Sequence, residues 1–104
     1  MKEIRSIAKR IAEKFDVDKI ILFGSYAYGK PREGSDVDLL VVLNSKKRNW
    51  KINWDIYDAI SPLPCSIDLV VRTGKEIKER IPQGDWFLKD IVEDGLVLYE
   101  SGRN

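Results

Sequence analysis

The stretch Gly24-Ser25-Tyr26-Ala27-Tyr28-Gly29, followed after residues 30–34 by Ser35-Asp36-Val37-Asp38-Leu39-Leu40-Val41, sets the reading of the whole chain. Just upstream, Lys19-Ile20-Ile21-Leu22-Phe23 is short, β-branched and apolar, and Gly24-Ser25 ends it, so it reads as a buried strand. Glycine lets the backbone turn closely, and a helix starting after it presents free N–H groups to an anion. The Ser25 hydroxyl can add one more donor. Taken alone, these two residues read first as an ordinary strand-to-helix turn with Ser25 as the cap, and a phosphate cradle is the alternative. Tyr26 to Gly29 leaves room for a short helix, and Lys30-Pro31-Arg32-Glu33-Gly34 reads as a turn-rich loop.

Asp36 and Asp38 stand at i and i+2 at the entry to a second apolar strand, Val37 to Leu43, so both carboxylates face one side of it. Asp68 lies near the start of a third, Ser66 to Arg72. If the second and third strands are neighbours, the three acids can converge. Clustered anions repel and lose hydration, and a divalent cation relieves both penalties; oxygen-only ligands favour Mg²⁺ or Mn²⁺ over zinc. The plainer readings are a solvated turn for the Asp-x-Asp pair and a salt bridge to Arg or Lys for Asp68.

Outward from this centre, Ile4, Ile7, Ala8, Ile11, Ala12 and Phe15 recur at helical spacing among charged residues, predicting an amphipathic helix over 2–15. Asn49 is a candidate N-cap for a helix through Trp50, Trp54, Tyr57 and Ile60, stopped by Pro62 and Pro64. Thr73-Gly74-Lys75-Glu76 fits a capping box opening a helix that ends near Ile81-Pro82. Asp85 caps a last helix, Trp86 to Glu93, which Gly95 ends before a short strand, Leu96 to Tyr99. The order α-β-α-β-α-β-α-α-β predicts an α/β (α+β) fold, a mixed sheet flanked by helices, in one domain over residues 1–104.

Composition narrows the chemistry. The chain has 104 residues with 43% apolar and 34% charged, a folded rather than disordered balance. Lys plus Arg number 18 against 17 Asp plus Glu, so no strongly basic surface is written into the totals, and direct nucleic-acid binding is not expected. There is no histidine, which excludes Ser-His-Asp triads, Cys-His pairs and His-ligated metals. The one cysteine, Cys65, excludes an internal disulfide and reads as a small buried apolar residue. A reduced, cytoplasmic setting is expected, and the charged start reads as neither a signal peptide nor a membrane span.

The combination Gly24, Ser25, Ala27, Gly29, Ser35, Asp36, Asp38, Leu39, Val41 and then Asp68 resembles the signature of the DNA polymerase β-like nucleotidyltransferase superfamily, in its minimal nucleotidyltransferase (MNT) branch. The resemblance covers about Lys19 to Val71 and implies the polymerase β-like fold. It implies that Asp36, Asp38 and Asp68 are catalytic and hold two Mg²⁺ ions, with Mn²⁺ as the alternative. Gly24, Ser25 and Ser35 would then bind the nucleotide, ATP, with Gly24 and Ser25 on its β- and γ-phosphates. Asp68 also becomes a candidate proton acceptor. Where the family often has Arg between the Ala and the second Gly, this chain has Tyr28, so a phosphate contact by that arginine is not carried over. Lys30 and Arg32 could neutralise the leaving pyrophosphate or be solvated loop charges.

Larger members of that superfamily carry extra domains for their acceptors; here few residues follow the sheet, so the acceptor is expected to dock from outside. MNT proteins of this size resemble antitoxins paired with an all-helical HEPN ribonuclease toxin, neutralised by AMP transfer to a tyrosine (a type VII-like antitoxin) or simply by occlusion. A small-molecule transferase of the aminoglycoside kind is a third reading. Trp50, Trp54 and Tyr57 fall at i, i+4 and i+7 and Trp86-Phe87 open the last helix; the aromatics read as core, with interface anchors as the alternative. Lys46, Lys47, Arg48 and Lys51 read as a solvated basic loop that could also meet RNA or an acidic partner face.

Overall fold

A computed structural model describes residues 2–29, 31, 34–63 and 65–102. The elements run α1 (Lys2–Lys14), β1 (Val17–Phe23), β2 (Val37–Leu43), α2 (Ile52–Ile60), β3 (Ile67–Thr73), α3 (Gly74–Arg80), α4 (Trp86–Asp94) and β4 (Leu96–Glu100). One four-stranded sheet has the order β3-β2-β1-β4. β1 pairs antiparallel with β2 and β4, whereas β2 and β3 are parallel, the pairing that a helical connection such as α2 permits. The mixed sheet flanked by helices is therefore as expected.

Period-two alternation splits the strand side chains between two cores. Ile20, Leu22, Val37, Leu39, Val41, Ile67, Leu69 and Val71 meet Ile4, Ile7, Ala8 and Ile11 of α1 and Ile56 and Ile60 of α2. On the other face Ile21, Leu40 and Val42 meet Leu88 and Ile91 of α4. Burial on both faces explains why β2 reads as a continuous apolar run. Among the described residues no helix is long and apolar enough to cross a membrane.

Local signals set the boundaries. Thr73 Oγ1 accepts from the Glu76 N–H at 3.0 Å while the Glu76 carboxylate accepts from the Thr73 N–H at 3.0 Å, the expected capping box. Asp85 accepts from the Leu88 N–H at 3.0 Å, and Gly95 ends α4. At Gly95 only hydrogen fits, because a Cβ would run into Ile21 and the Ile91 carbonyl.

Four expectations are corrected. Residues 26–29 form turns rather than a short helix: the Ala27 and Tyr28 amides both donate to the Gly24 carbonyl, and Gly24 and Gly29 have φ of 76° and 72°. Four residues between two left-handed glycines are too few to propagate a helix. Asn49 Oδ1 does accept from the Lys51 N–H at 2.8 Å, but regular helix begins only at Ile52, leaving Trp50 in a turn. Trp50 and Trp54 are 79% and 68% exposed, against the core reading, because Ile56 and Ile60 form the buried stripe of α2. Trp86 and Phe87 are likewise exposed. Cys65 is only half-buried, packed against the larger core. Lys30, Arg32 and Glu33 of the expected loop, and Pro64, lie outside the described residues.

Candidate functional site

The site is built where three strands end or begin. In the parallel register of β2 and β3, Asp38 stands directly opposite Asp68. In the antiparallel register of β1 and β2, Phe23 stands opposite Asp38. Directly opposed residues project from the same side of a sheet, and the alternation of β2 puts Asp36, Asp38 and Asp68 on the α4 side. Asp36 immediately precedes β2 and is exposed, Asp68 is exposed, and Asp38 is partly buried between them.

Gly24 closes the site from the β1 side. Its φ of 76° is disfavoured for residues with a side chain, and a Cβ there would lie 3.2 Å from Asp38 Cγ and collide with the carboxylate itself. Glycine is thus needed at this turn twice over, for conformation and for space. Ser25 follows, half-buried, at the start of the turn, and Ser35 is half-buried ahead of Asp36. Tyr28 is 53% exposed. On the α4 side, the Phe23 ring meets Phe87 edge to face, with centroids 5.6 Å apart, forming an aromatic wall beside the acids.

The electrostatics report the convergence. Burial, then the charge of Asp68, then that of Asp36, raise the Asp38 carboxyl above its ordinary 3.8. Among the described residues no Lys or Arg is salt-bridged to any of the three acids. The salt-bridge reading of Asp68 is therefore not what these residues show. Nor, among them, does any group of three or more His, Cys, Asp or Glu side chains stand close enough to hold a metal ion as placed. The donor chemistry nevertheless fits a hard divalent cation: oxygen-only ligands, on one side of the sheet, mutually repelling and open to solvent.

The strand carrying Asp68 is held by side chains whose role the sequence reading missed. The Tyr57 hydroxyl donates to the Ile67 carbonyl at 2.9 Å and accepts from the Leu69 N–H at 3.1 Å. Asn53 Nδ2 donates to the Leu69 carbonyl at 3.5 Å. A polar-tipped tyrosine on the helix leading into a strand was the available signal. The basic loop is also less free than expected: Arg48 makes a two-pronged ion pair with Glu76 at 2.8 and 3.1 Å, while Lys46 and Lys47 are exposed.

Comparison with known proteins bears on the family and the fold. A family model described as the nucleotidyltransferase domain matches residues 4–99. Two curated relatives from Methanocaldococcus jannaschii carry the names "Putative protein adenylyltransferase MJ0604" and "Putative protein adenylyltransferase MJ0128". The first is 31% identical over 103 residues, covering 94% of this chain and 96% of its own. The second is 30% identical over 95 residues, covering 90% and 88%. Among solved structures, one described as "a putative nucleotidyltransferase from Sulfolobus solfataricus" superposes with a TM-score of 0.68 at 22% identity, over 99% of this chain and 82% of that one. A toxin-antitoxin structure with AMP-PNP superposes with a TM-score of 0.67 at 23% identity, over 98% and 76%. The toxin-antitoxin pair MntA-HepT does so at 0.60 and 19%, over 96% and 72%.

Proposed function

The chain belongs to the nucleotidyltransferase-domain family and is an enzyme of that type, and from that premise we propose that it transfers AMP from ATP to a hydroxyl of a protein partner. The partner is a helical HEPN-type toxin, the acceptor one of its tyrosines, and the setting the cytoplasm, where ATP and Mg²⁺ are abundant. The observation that carries this reading is the register that sets Asp38 opposite Asp68 with Gly24 packed against the Asp38 carboxylate. The names of the curated relatives support protein adenylylation, and the toxin-antitoxin neighbours, one with AMP-PNP, support the partner and the nucleotide.

In this reading Asp36, Asp38 and Asp68 hold Mg²⁺, and Gly24, Ser25 and Ser35 hold the nucleotide. Bound Mg²⁺ neutralises the polyphosphate and stabilises charge developing in an in-line displacement. Around Gly24 and Ser25, backbone N–H groups and a hydroxyl donate to the β- and γ-phosphate oxygens and fix the chain of phosphates against the acids. The acceptor oxygen bonds to the α-phosphorus while the bridging α–β P–O bond breaks. The hydroxyl proton passes to the Asp68 carboxylate, and pyrophosphate departs with the bonding pair.

The test incubates the protein with Mg²⁺, α-labelled ATP and a HEPN-type partner. Label should appear on the partner and fall by at least about a hundredfold in Asp36→Asn and Asp38→Asn. Full neutralisation of the toxin by both variants without label would overturn transfer in favour of occlusion.

A further inference from the structure

We propose that Tyr57 is a positioning residue for Asp68: its single hydroxyl stands in for the neighbouring strand that the edge of the sheet lacks, and so aims the Asp68 carboxylate at the site. This rests on the site reading above. β3 is the outermost strand beside β2, so among the described residues one of its sides has no strand partner. In a parallel ladder successive residues bond alternately to one side and the other. The Val37 N–H donates to the Ser66 carbonyl at 2.9 Å, so the peptide groups of Asp68 face inward to β2 and those of Ile67 and Leu69 face out.

Those outward groups are where Tyr57 binds. Giving a hydrogen bond to the Ile67 carbonyl and taking one from the Leu69 N–H is the pair of contacts that one residue of an adjacent parallel strand would make opposite Asp68. Asn53, one helical turn earlier on the same side of α2, reaches the Leu69 carbonyl at 3.5 Å, a longer and weaker contact. Pinning the peptides on both sides of Asp68 fixes its φ and ψ and therefore the direction of its Cα–Cβ bond. The side chain itself is exposed and has no salt bridge among the described residues. The Cα–Cβ direction from which it swings is therefore set by its backbone, which an unclamped edge strand would leave to fray.

The experiment compares Tyr57→Phe, Asn53→Ala, Asp68→Asn and a control, Ile56→Val. The control trims a buried side chain of the same helix and leaves the clamp alone. The first readout is amide hydrogen exchange. In Tyr57→Phe the Leu69 amide should exchange about tenfold faster while the Leu40 amide of β2 is unchanged. The second is the Mn²⁺ concentration giving half the maximal rise in melting temperature at a fixed level of an ATP analogue with a methylene α–β bridge. It should rise about tenfold in Tyr57→Phe, two- to threefold in Asn53→Ala and not at all in Ile56→Val. The kcat for label transfer should fall in parallel, with KM for ATP near the parent value. If Tyr57→Phe merely melts earlier, as Ile56→Val does, with the Mn²⁺ midpoint unmoved, the positioning role is overturned while the site reading stands. If Asp68→Asn leaves the Mn²⁺ dependence intact, the site reading fails, and the clamp's purpose with it.

Discussion

The two ends of β3 treat charge in opposite ways. At its start, Asp68 faces Asp38 and Asp36 with no cation salt-bridged to them among the described residues, and the Asp38 carboxyl is pushed upward by burial and by its neighbours. At its end, roughly 17 Å further along a strand of this rise, Thr73 opens a capping box whose Glu76 is forked by Arg48. Glu76 is also desolvated, which by itself would raise its pKa, but the Arg48 hydrogen bonds, the Thr73 amide and the charges of Arg48 and Arg72 together draw it down. One strand thus carries a cluster that opposes folding and a cluster that favours it. Among the described residues only the second is matched by side chains of opposite charge, the asymmetry expected between a site that receives a ligand and a joint that holds.

The contrast breaks most sharply at Gly24. An alanine there must adopt a left-handed backbone and push its methyl into the Asp38 carboxylate. Gly24→Ala should cost about 2 kcal/mol or more in denaturant unfolding. It should also lower label transfer by over tenfold, because relief of the collision moves Asp38. The same change at Gly84, also at positive φ (100°) but with nothing near its added Cβ, should lose stability without losing activity.

Much of this contrast was legible in the sequence, and the rest had physical reasons to stay hidden. Apolar runs and caps announced all four strands and the Thr73 and Asp85 helix starts, because those signals act within a few residues. The Asp36-x-Asp38 spacing put two acids on one side of a strand; that Asp68 lies opposite Asp38 depends on a strand register that no local pattern encodes. Arg48 and Glu76 are 28 residues apart, and nothing in a basic loop foretells that one of its members is paired. The aromatic spacing of Trp50, Trp54 and Tyr57 misled because the aliphatic stripe Ile56–Ile60 won the core, leaving both tryptophans outside and turning Tyr57 to the strand edge.

The satisfied end yields the intermediate effect. Glu76→Gln keeps an acceptor for the Thr73 amide but removes the charge that Arg48 grips, so it should cost about 1 kcal/mol while label transfer stays near the parent rate. The pH dependence follows from the direction of the shift. Because Glu76 is more acidic folded than its ordinary 4.5, its contribution is present above that value and lost as pH falls through its lower folded value. The difference in unfolding free energy between parent and Glu76→Gln should therefore be largest near neutrality and shrink below pH 4.5. A difference that persists at pH 3 would mean that Glu76 acts by packing and not by charge.

The unsatisfied end yields the smallest effect and the opposite sign. Folded Asp38 holds its proton more tightly than the unfolded chain does, so its contribution is fully present below the ordinary value of 3.8 and is lost as pH rises through its higher folded value. Asp38→Asn removes that penalty. In the absence of divalent ions it should raise the melting temperature by about 2 °C at neutral pH, with the gain vanishing as pH falls below 3.8. Adding Mg²⁺ with ATP should reverse the order, raising the parent above the variant, since ligand binding stabilises only the protein that can hold it. A variant no more stable than the parent without ions would mean that the carboxylates do not strain one another. The two ends of β3 would then differ in composition but not in energy.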